Sequence, residues 1–276
     1  MPLITALELR SQLASVRLLD ARPDPADFSA GHLPGALHAD LNRQLSTAAD
    51  PGHDPARGGR HPLPPWPRFA AQVGAWGIGP ATKVVLYDAN GGGNAAARLW
   101  WMFRALGHED VRVLDGGLPE ALRAGMALTY EPIAVPAFAP YPTEGWRLPT
   151  VDAEAVETLR KDSGRKLLDV RSRERWRGET EPFDPVAGHI PGSLNLPWNE
   201  NLGPDGRFKS PEALRALYAP LLDGTPPERL AVHCGSGVTA CHTLLALDVA
   251  GLPGAALYVG SWSEWCRSGR DREPRP

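Results

Sequence analysis

Short apolar runs recur along the chain between polar and glycine-bearing stretches. In the first half they are Leu18-Leu19-Asp20-Ala21-Arg22, Val84-Val85-Leu86-Tyr87 and Val113-Leu114. In the second half they are Leu167-Leu168-Asp169-Val170-Arg171, Leu230-Ala231-Val232-His233 and Leu257-Tyr258-Val259. Apolar runs this short, bounded by turn residues, predict buried strands. The longer stretches that follow Tyr87 and His233 read as helices closing at Gly107 and Gly251, since glycine takes the left-handed position just past a helix end. Strands alternating with helices predict an α/β layer built on a mostly parallel sheet. In such sheets ligands collect at the carboxyl ends of the strands, so the loops after Tyr87 and His233 are the places to look for chemistry.

The pattern occurs twice. Gly31-His32-Leu33-Pro34-Gly35 returns as Gly188-His189-Ile190-Pro191-Gly192, and Leu114-Asp115-Gly116-Gly117 has its counterpart in Tyr258-Val259-Gly260-Ser261. Four landmarks in one order, at offsets of 144 to 157 residues, define a tandem duplication. Between the copies, Met126 to Thr150 contains Pro132, Pro136, Pro140, Pro142 and Pro149, a composition suited to an extended linker laid over the surface. The predicted organisation is a first copy over 1–130, a proline-rich linker over 131–149 and a second copy over 150–276.

Composition narrows the setting. The 29 Lys+Arg against 32 Asp+Glu leave a net charge of −3, without the clustered basic excess of a nucleic-acid binder. No apolar run approaches the ~18–20 residues needed to cross a bilayer, and the start, with Glu8 and Arg10 in an amphipathic pattern, does not read as a secretory leader. A cytoplasmic protein without nucleic-acid or membrane partners is expected. The three cysteines, Cys234, Cys241 and Cys266, are too few for a disulfide scaffold and lack metal-site spacing. No metal and no organic cofactor is expected.

Cys234 stands apart from the other two. In His233-Cys234-Gly235-Ser236-Gly237-Val238-Thr239-Ala240 it follows a buried strand and precedes a helix predicted to begin near Val238. A loop with two glycines can curl so that several backbone N–H groups converge, and the helix dipole reinforces that point for an anion. Such a cradle favours a thiolate nucleophile, or the terminal sulfur anion of a persulfide. Cys241 and Cys266 lack this context and read as packing residues. In the first copy the same position is Asp88, which cannot serve as a sulfur nucleophile, so the second copy carries the chemistry. A cysteine phosphatase would need an arginine six residues after the cysteine to clamp phosphate; Ala240 stands there.

These motifs resemble those of the tandem rhodanese family of sulfurtransferases, over nearly the whole chain. The Asp-x-Arg strands, both Gly-His-x-Pro-Gly turns, Leu99-Trp100-Trp101-Met102-Phe103, Cys234 to Thr239 and Gly260-Ser261-Trp262-Ser263-Glu264-Trp265 all belong to the pattern. The resemblance implies two rhodanese-like α/β domains and transfer of sulfur through a Cys234 persulfide. Cys-Gly-Ser-Gly-Val-Thr is similar to the loop of the 3-mercaptopyruvate branch, whereas thiosulfate-using members carry cationic side chains in the loop. It further implies a proton relay of Ser236, His61 and Asp40, with His61 and Asp40 supplied by the first half so that the site would span the two domains. Gly235, Gly237, Val238 and Thr239 would line the substrate.

For the substrate carboxylate the resemblance implies two arginines, because an arginine fork matches two oxygens. Arg177 is aligned with the first. The second would follow a Glu-Pro pair, but the chain reads Glu181-Pro182-Phe183-Asp184-Pro185. Arg22 and Arg171 are expected to pair with Asp20 and Asp169, and His32 and His189 to stabilise turns. The acceptor is a thiol, with thioredoxin or a small thiol as the kinds in view, or cyanide. Two other readings stay open: a thiosulfate sulfurtransferase, and a sulfur-relay module that holds a persulfide for a protein partner.

Overall fold

The predicted apolar runs form the inner strands of two parallel sheets in the computed structural model, which describes residues 1–93 and 95–274. The first sheet contains β1 (Leu3–Ile4), β2 (Arg17–Asp20), β3 (Ala36–His38), β4 (Val84–Tyr87) and β5 (Val111–Leu114), in the order β1-β5-β4-β2-β3. The second contains β6 (Thr150–Val151), β7 (Lys166–Asp169), β8 (Leu194–Asn195), β9 (Leu230–His233) and β10 (Ala256–Tyr258), in the order β6-β10-β9-β7-β8. Every strand pairing within the two sheets is parallel. The central strands β4 and β9 are buried at all four positions, as expected where helices cover both faces. In each sheet the strand order reverses beside the central strand, where parallel sheets place ligands.

The chain forms two compact units: Met1–Thr47, Leu63–Arg147 and Leu202–Phe208 in one, and Ala48–Pro62, Leu148–Asn201 and Lys209–Pro276 in the other. Residues 48–62, which the repeat assigns to the first copy, therefore lie in the second unit, and Leu202–Phe208 lies in the first. The proline-rich stretch runs along the first unit as far as Arg147. Thr129 exchanges backbone hydrogen bonds with His32, and the amides of Phe138, Tyr141 and Arg147 donate to the carbonyls of Gly74, Ala70 and Ala105. Trp146 sets its ring against Phe69 and Trp101.

The helices that follow the central strands, Ala95–Leu106 and Ala240–Val249, are buried along most of their length. This explains the apolar Leu99–Phe103 run. The second helix begins at Ala240, two residues later than the sequence suggests, because Val238 and Thr239 still belong to the loop. No helix among the described residues is long and apolar enough to cross a membrane.

One buried ion pair closes each sheet at its reversal point. Arg22 grips the carboxylate of Asp20 through Nε at 2.9 Å and Nη2 at 2.6 Å, and Nη2 also donates to the Gly31 carbonyl at 2.7 Å. Arg171 repeats this with Asp169 at 3.0 and 2.6 Å and with the Gly188 carbonyl at 2.8 Å. Each arginine thus ties its strand to the Gly-His-x-Pro-Gly turn, where the histidine also anchors the backbone. His32 Nδ1 lies 3.1 Å from the Phe28 carbonyl oxygen and its ring stacks on Phe28; His189 Nδ1 lies 2.7 Å from the Trp176 carbonyl oxygen and its ring stacks on Trp176.

Breaking one such pair strands a buried charge. Arg22→Met is expected to lower unfolding stability by about 3–5 kcal/mol, measured by urea denaturation. The double variant Asp20→Leu/Arg22→Met should recover most of that loss.

Candidate active site

The chain leaves β9 at His233 and places Cys234, 2% exposed, at the centre of the loop. Its amide donates to Ser261 Oγ at 3.2 Å, and its carbonyl accepts from the Trp262 amide at 3.0 Å. The next carbonyl, of Gly235, accepts from the Ser263 amide at 2.9 Å. Ser261 holds φ +54, a left-handed conformation that strains any side chain; the first unit has Gly117 at that place, with φ +61. The Ser261 hydroxyl both supports Cys234 and donates to the Tyr258 carbonyl at 2.9 Å. Gly237 has φ +73, and a Cβ there would lie 2.4 Å from the Val259 carbonyl oxygen, so the loop closes only with glycine.

The first unit shows what this loop binds. Oδ1 of Asp88 accepts from the amides of Asn90 at 2.8 Å and Gly92 at 2.9 Å, and Oδ2 accepts from the Ala96 amide at 3.2 Å. A tethered carboxylate thus sits in the amide cradle. In the second unit the amides of Ser236 and Val238, the counterparts of Asn90 and Gly92, have no acceptor among the described residues. Cys234 stands where the first unit has this carboxylate.

His61 reaches this loop from within the second unit, its Nδ1 2.9 Å from Ser236 Oγ. By sequence repeat His61 belongs to the first copy, and by packing it belongs to the second unit. Its peptide is docked on the turn that follows β10: the Gly58 amide donates to Glu264 Oε1 at 2.8 Å and the Arg60 amide to Ser263 Oγ at 2.9 Å. At Gly59, with φ +81, a Cβ would lie 2.3 Å from the Gly260 carbonyl oxygen, so no side chain fits between the two segments. Asp40 belongs to the first unit. Its Oδ1 accepts from the amides of Asn42 at 2.8 Å and Arg43 at 3.1 Å, capping a turn.

The cations at the loop differ from the sequence expectation. Arg177 lies on the surface, its side chain 58% exposed, with Nη1 3.7 Å from Glu179. Arg175, two residues earlier, and Arg60 converge on the loop: a Cβ built on Gly235 would lie 3.1 Å from Nη2 of each. Arg175 is oriented by Glu181, which accepts from its Nη2 at 2.7 Å and also from Arg171 Nη1 at 3.1 Å. Arg60 is oriented by Asp184, whose carboxylate also holds Arg267 at 2.8 Å. The sequence signal for Arg60 is its place beside His61; nothing in a linear motif shows that Asp184 receives it.

Burial works against the charge of Arg171, but the Asp169 carboxylate, then Glu181, outweigh it and raise its pKa. Burial likewise disfavours the ionised form of Asp169, yet Arg171 and then His233 hold its pKa below the usual carboxylate range. Burial lowers the pKa of His233, against the pull of Asp169. Its Nδ1 lies 3.2 Å from the Cys234 carbonyl oxygen, a contact that places the neutral ring's proton on Nδ1. The other cysteines are packed away from this chemistry. Cys241 Sγ donates to the Gly237 carbonyl at 3.4 Å, and the Cys266 thiol is pushed up to about 11 by burial and by Asp184.

The second unit is an α/β cysteine-loop module, and the first is the same module with an aspartate in the loop. The rhodanese-like domain pattern matches residues 5–124 and 152–268, and the chain belongs to the rhodanese family. It is 44% identical over 275 residues to a probable 3-mercaptopyruvate sulfurtransferase of Pseudomonas aeruginosa, covering 95% of this chain and 94% of that one. It is 40% identical over 279 residues to a putative thiosulfate sulfurtransferase of Mycobacterium tuberculosis, covering 95% and 93%. Among solved structures it matches the 3-mercaptopyruvate sulfurtransferase of Escherichia coli with a TM-score of 0.78 at 28% identity, covering 95% of this chain and 99% of that one.

Two outcomes follow from the site's construction. Gly237→Ala should abolish turnover while the parent sheet persists by circular dichroism, because the clash is confined to the loop. Below about pH 6.5 the unfolded chain protonates His233 while the folded chain resists it, so stability falls as pH falls. His233→Gln should flatten the melting temperature between pH 7 and 5.5 relative to the parent.

Proposed function

We propose that the protein transfers sulfane sulfur from 3-mercaptopyruvate, through a persulfide on Cys234, to a thiol or cyanide acceptor. The observation that carries this reading is the uncharged amide cradle around Cys234, with the His61–Ser236 hydrogen bond beside it and two arginines above Gly235. The Cys234 thiolate attacks the donor sulfur and forms the S–S bond. The donor's C–S bond breaks, and its electrons pass to the enolate of pyruvate, which takes a proton to become pyruvate. Ser236 and His61 supply the route for that proton. The amides of Gly235, Gly237, Val238 and Thr239 line the loop and stabilise anionic sulfur. An acceptor thiolate or cyanide then removes the terminal sulfur and restores the Cys234 thiolate.

The reading places the protein in the cytoplasm, where all three cysteines remain free thiols and a thiol acceptor, thioredoxin or a small thiol, is at hand. Thiosulfate is the competing donor. It would leave as sulfite, which needs no proton, so the two donors make different demands on the relay.

Steady-state rates with each donor and cyanide as acceptor test the assignment. A higher kcat/KM for 3-mercaptopyruvate than for thiosulfate is expected, and the reverse overturns it. Cys234→Ser should abolish turnover without loss of fold. Ser236→Ala and His61→Gln should lower kcat with 3-mercaptopyruvate by about 10²–10⁴-fold, while residual thiosulfate turnover falls far less.

A further inference from the structure

The short helix Ser261–Trp265 holds two segments at once. Through its backbone it holds the cysteine loop: the amides of Trp262 and Ser263 donate to the carbonyls of Cys234 at 3.0 Å and Gly235 at 2.9 Å. Through its side chains it holds the peptide that leads to His61. Ser263 Oγ accepts from the Arg60 amide at 2.9 Å, and Glu264 Oε1 accepts from the Gly58 amide at 2.8 Å. The other carboxylate oxygen of Glu264 accepts from the Tyr258 hydroxyl at 2.8 Å. Tyr258 is fully buried and ends β10, so the carboxylate is pinned to the sheet on one side and to the peptide on the other.

The first unit supplies a comparison within the same chain. Gly206-Arg207-Phe208 stands between edge strand β8 and the helix Pro211–Leu222, as Gly59-Arg60-His61 stands between edge strand β3 and the helix Trp66–Ala75. Gly206 and Gly59 share left-handed φ values of +79 and +81. The segment that ends in Phe208 packs in the first unit, where the counterparts of Ser263 and Glu264 are Pro119 and Glu120. Pro119 has no hydroxyl to offer. Glu120 accepts from Arg123 of its own helix, from Nε at 2.8 Å and Nη2 at 2.6 Å, while the Phe208 amide donates to Asp115 Oδ1 at 2.8 Å. The glutamate therefore takes a backbone amide where the docked peptide carries a histidine, and a side chain of its own helix where it carries a phenylalanine.

A proton route works only while its members stay within hydrogen-bond reach, here the 2.9 Å between His61 Nδ1 and Ser236 Oγ. Ser236 rides on the cysteine loop and His61 on the docked peptide, so one helix that grips both fixes their separation. At Gly59 the two backbones touch, and the Ser263 and Glu264 contacts set where along the helix the peptide sits. An amide bonded to a carboxylate is held more firmly than one bonded to a hydroxyl, which makes Glu264 the stronger of the two anchors.

We propose that Glu264, fixed by the Tyr258 hydroxyl, is the positioning residue that sets His61 against Ser236. This rests on the reading above, in which His61 and Ser236 carry the proton to the leaving enolate.

Positioning and donor are tested by separate readouts. The His61 ring resonances, identified by their loss in His61→Gln, should shift in Glu264→Ala. They should keep their parent positions in Glu264→Gln, which retains an oxygen for the Gly58 amide. With 3-mercaptopyruvate, Glu264→Ala should lower kcat by about 10- to 100-fold, the cost of a misplacement on the order of 1 Å, with little change in KM. Glu264→Gln should restore most of that loss. In the His61→Gln background Glu264→Ala should cost nothing further, because residues that act as a unit are not additive. Alkylation of Cys234 by iodoacetamide should keep its parent rate in Glu264→Ala, since the loop is held by the helix backbone. Tyr258→Phe, which frees one carboxylate oxygen and keeps the packed ring, should move the same resonances part of the way and decides the matter if the Ala variant does not fold. Parent-like His61 resonances in whichever of these two variants is decisive overturn the proposal, as does an additive loss in the double variant or a changed alkylation rate. Shifted resonances in a protein that does not turn over 3-mercaptopyruvate sustain the positioning role and overturn the donor instead.

Discussion

Arg171 is fully interior, and three parts of the second unit meet on it. Its guanidinium holds the Asp169 carboxylate at the end of β7, the Gly188 carbonyl in the Gly-His-Ile-Pro-Gly turn, and Glu181 in the segment between them. It also stacks on Trp262, 4.8 Å from the ring centroid, and the amide of Trp262 holds the carbonyl of Cys234. Glu181 in turn orients Arg175 above Gly235. A charge that could not be buried alone is made tolerable by two carboxylates, and those carboxylates are then fixed in the one place where they can aim a second arginine. The ion pair that closes the sheet and the arginine that reaches the cysteine loop thus belong to one network, joined through Glu181.

The twofold repeat was legible because its landmarks are local. An Asp-x-Arg strand end, a Gly-His-x-Pro-Gly turn and a strand leading into a glycine loop each have their physical cause within a few residues, so the sequence carries them directly. The pairing of Arg22 and Arg171 with their own strand-end aspartates could be foreseen for the same reason. The start of the helix after the loop could not be read as closely, since Val238 is compatible with helix and is held in the loop by the closure at Gly237. The cations were harder still. Arg175 and Arg177 are both plausible on paper, and a short helix turn decides between them by sending one toward Glu181 and the other toward water. Arg60 depends on a contact with Asp184 across 124 residues, which no local pattern encodes.

The segment 48–62 changes what a domain boundary means here. Sequence repetition divides the chain by ancestry, whereas the compact units divide it by packing, and the two divisions differ where residues matter most. Gly58, Gly59 and Arg60 fit against the turn at Gly260–Glu264 with backbone-to-side-chain hydrogen bonds and no room for a side chain at Gly59. The second copy therefore borrows its histidine and one of its cations from sequence that the repeat counts as the first.

Asp88 gives the first unit a loop that carries its ligand covalently. Because the carboxylate is part of the chain, its binding to the amides needs no partner from solution and never dissociates. In the second unit the same position holds Cys234, the thiol that the proposed sulfur transfer would charge and bond in turn. The pair of loops therefore works as a matched reference and a live electrode within one polypeptide: the backbone fields are alike, and the difference between a permanent anion and a chemically mutable one is carried by a single side chain.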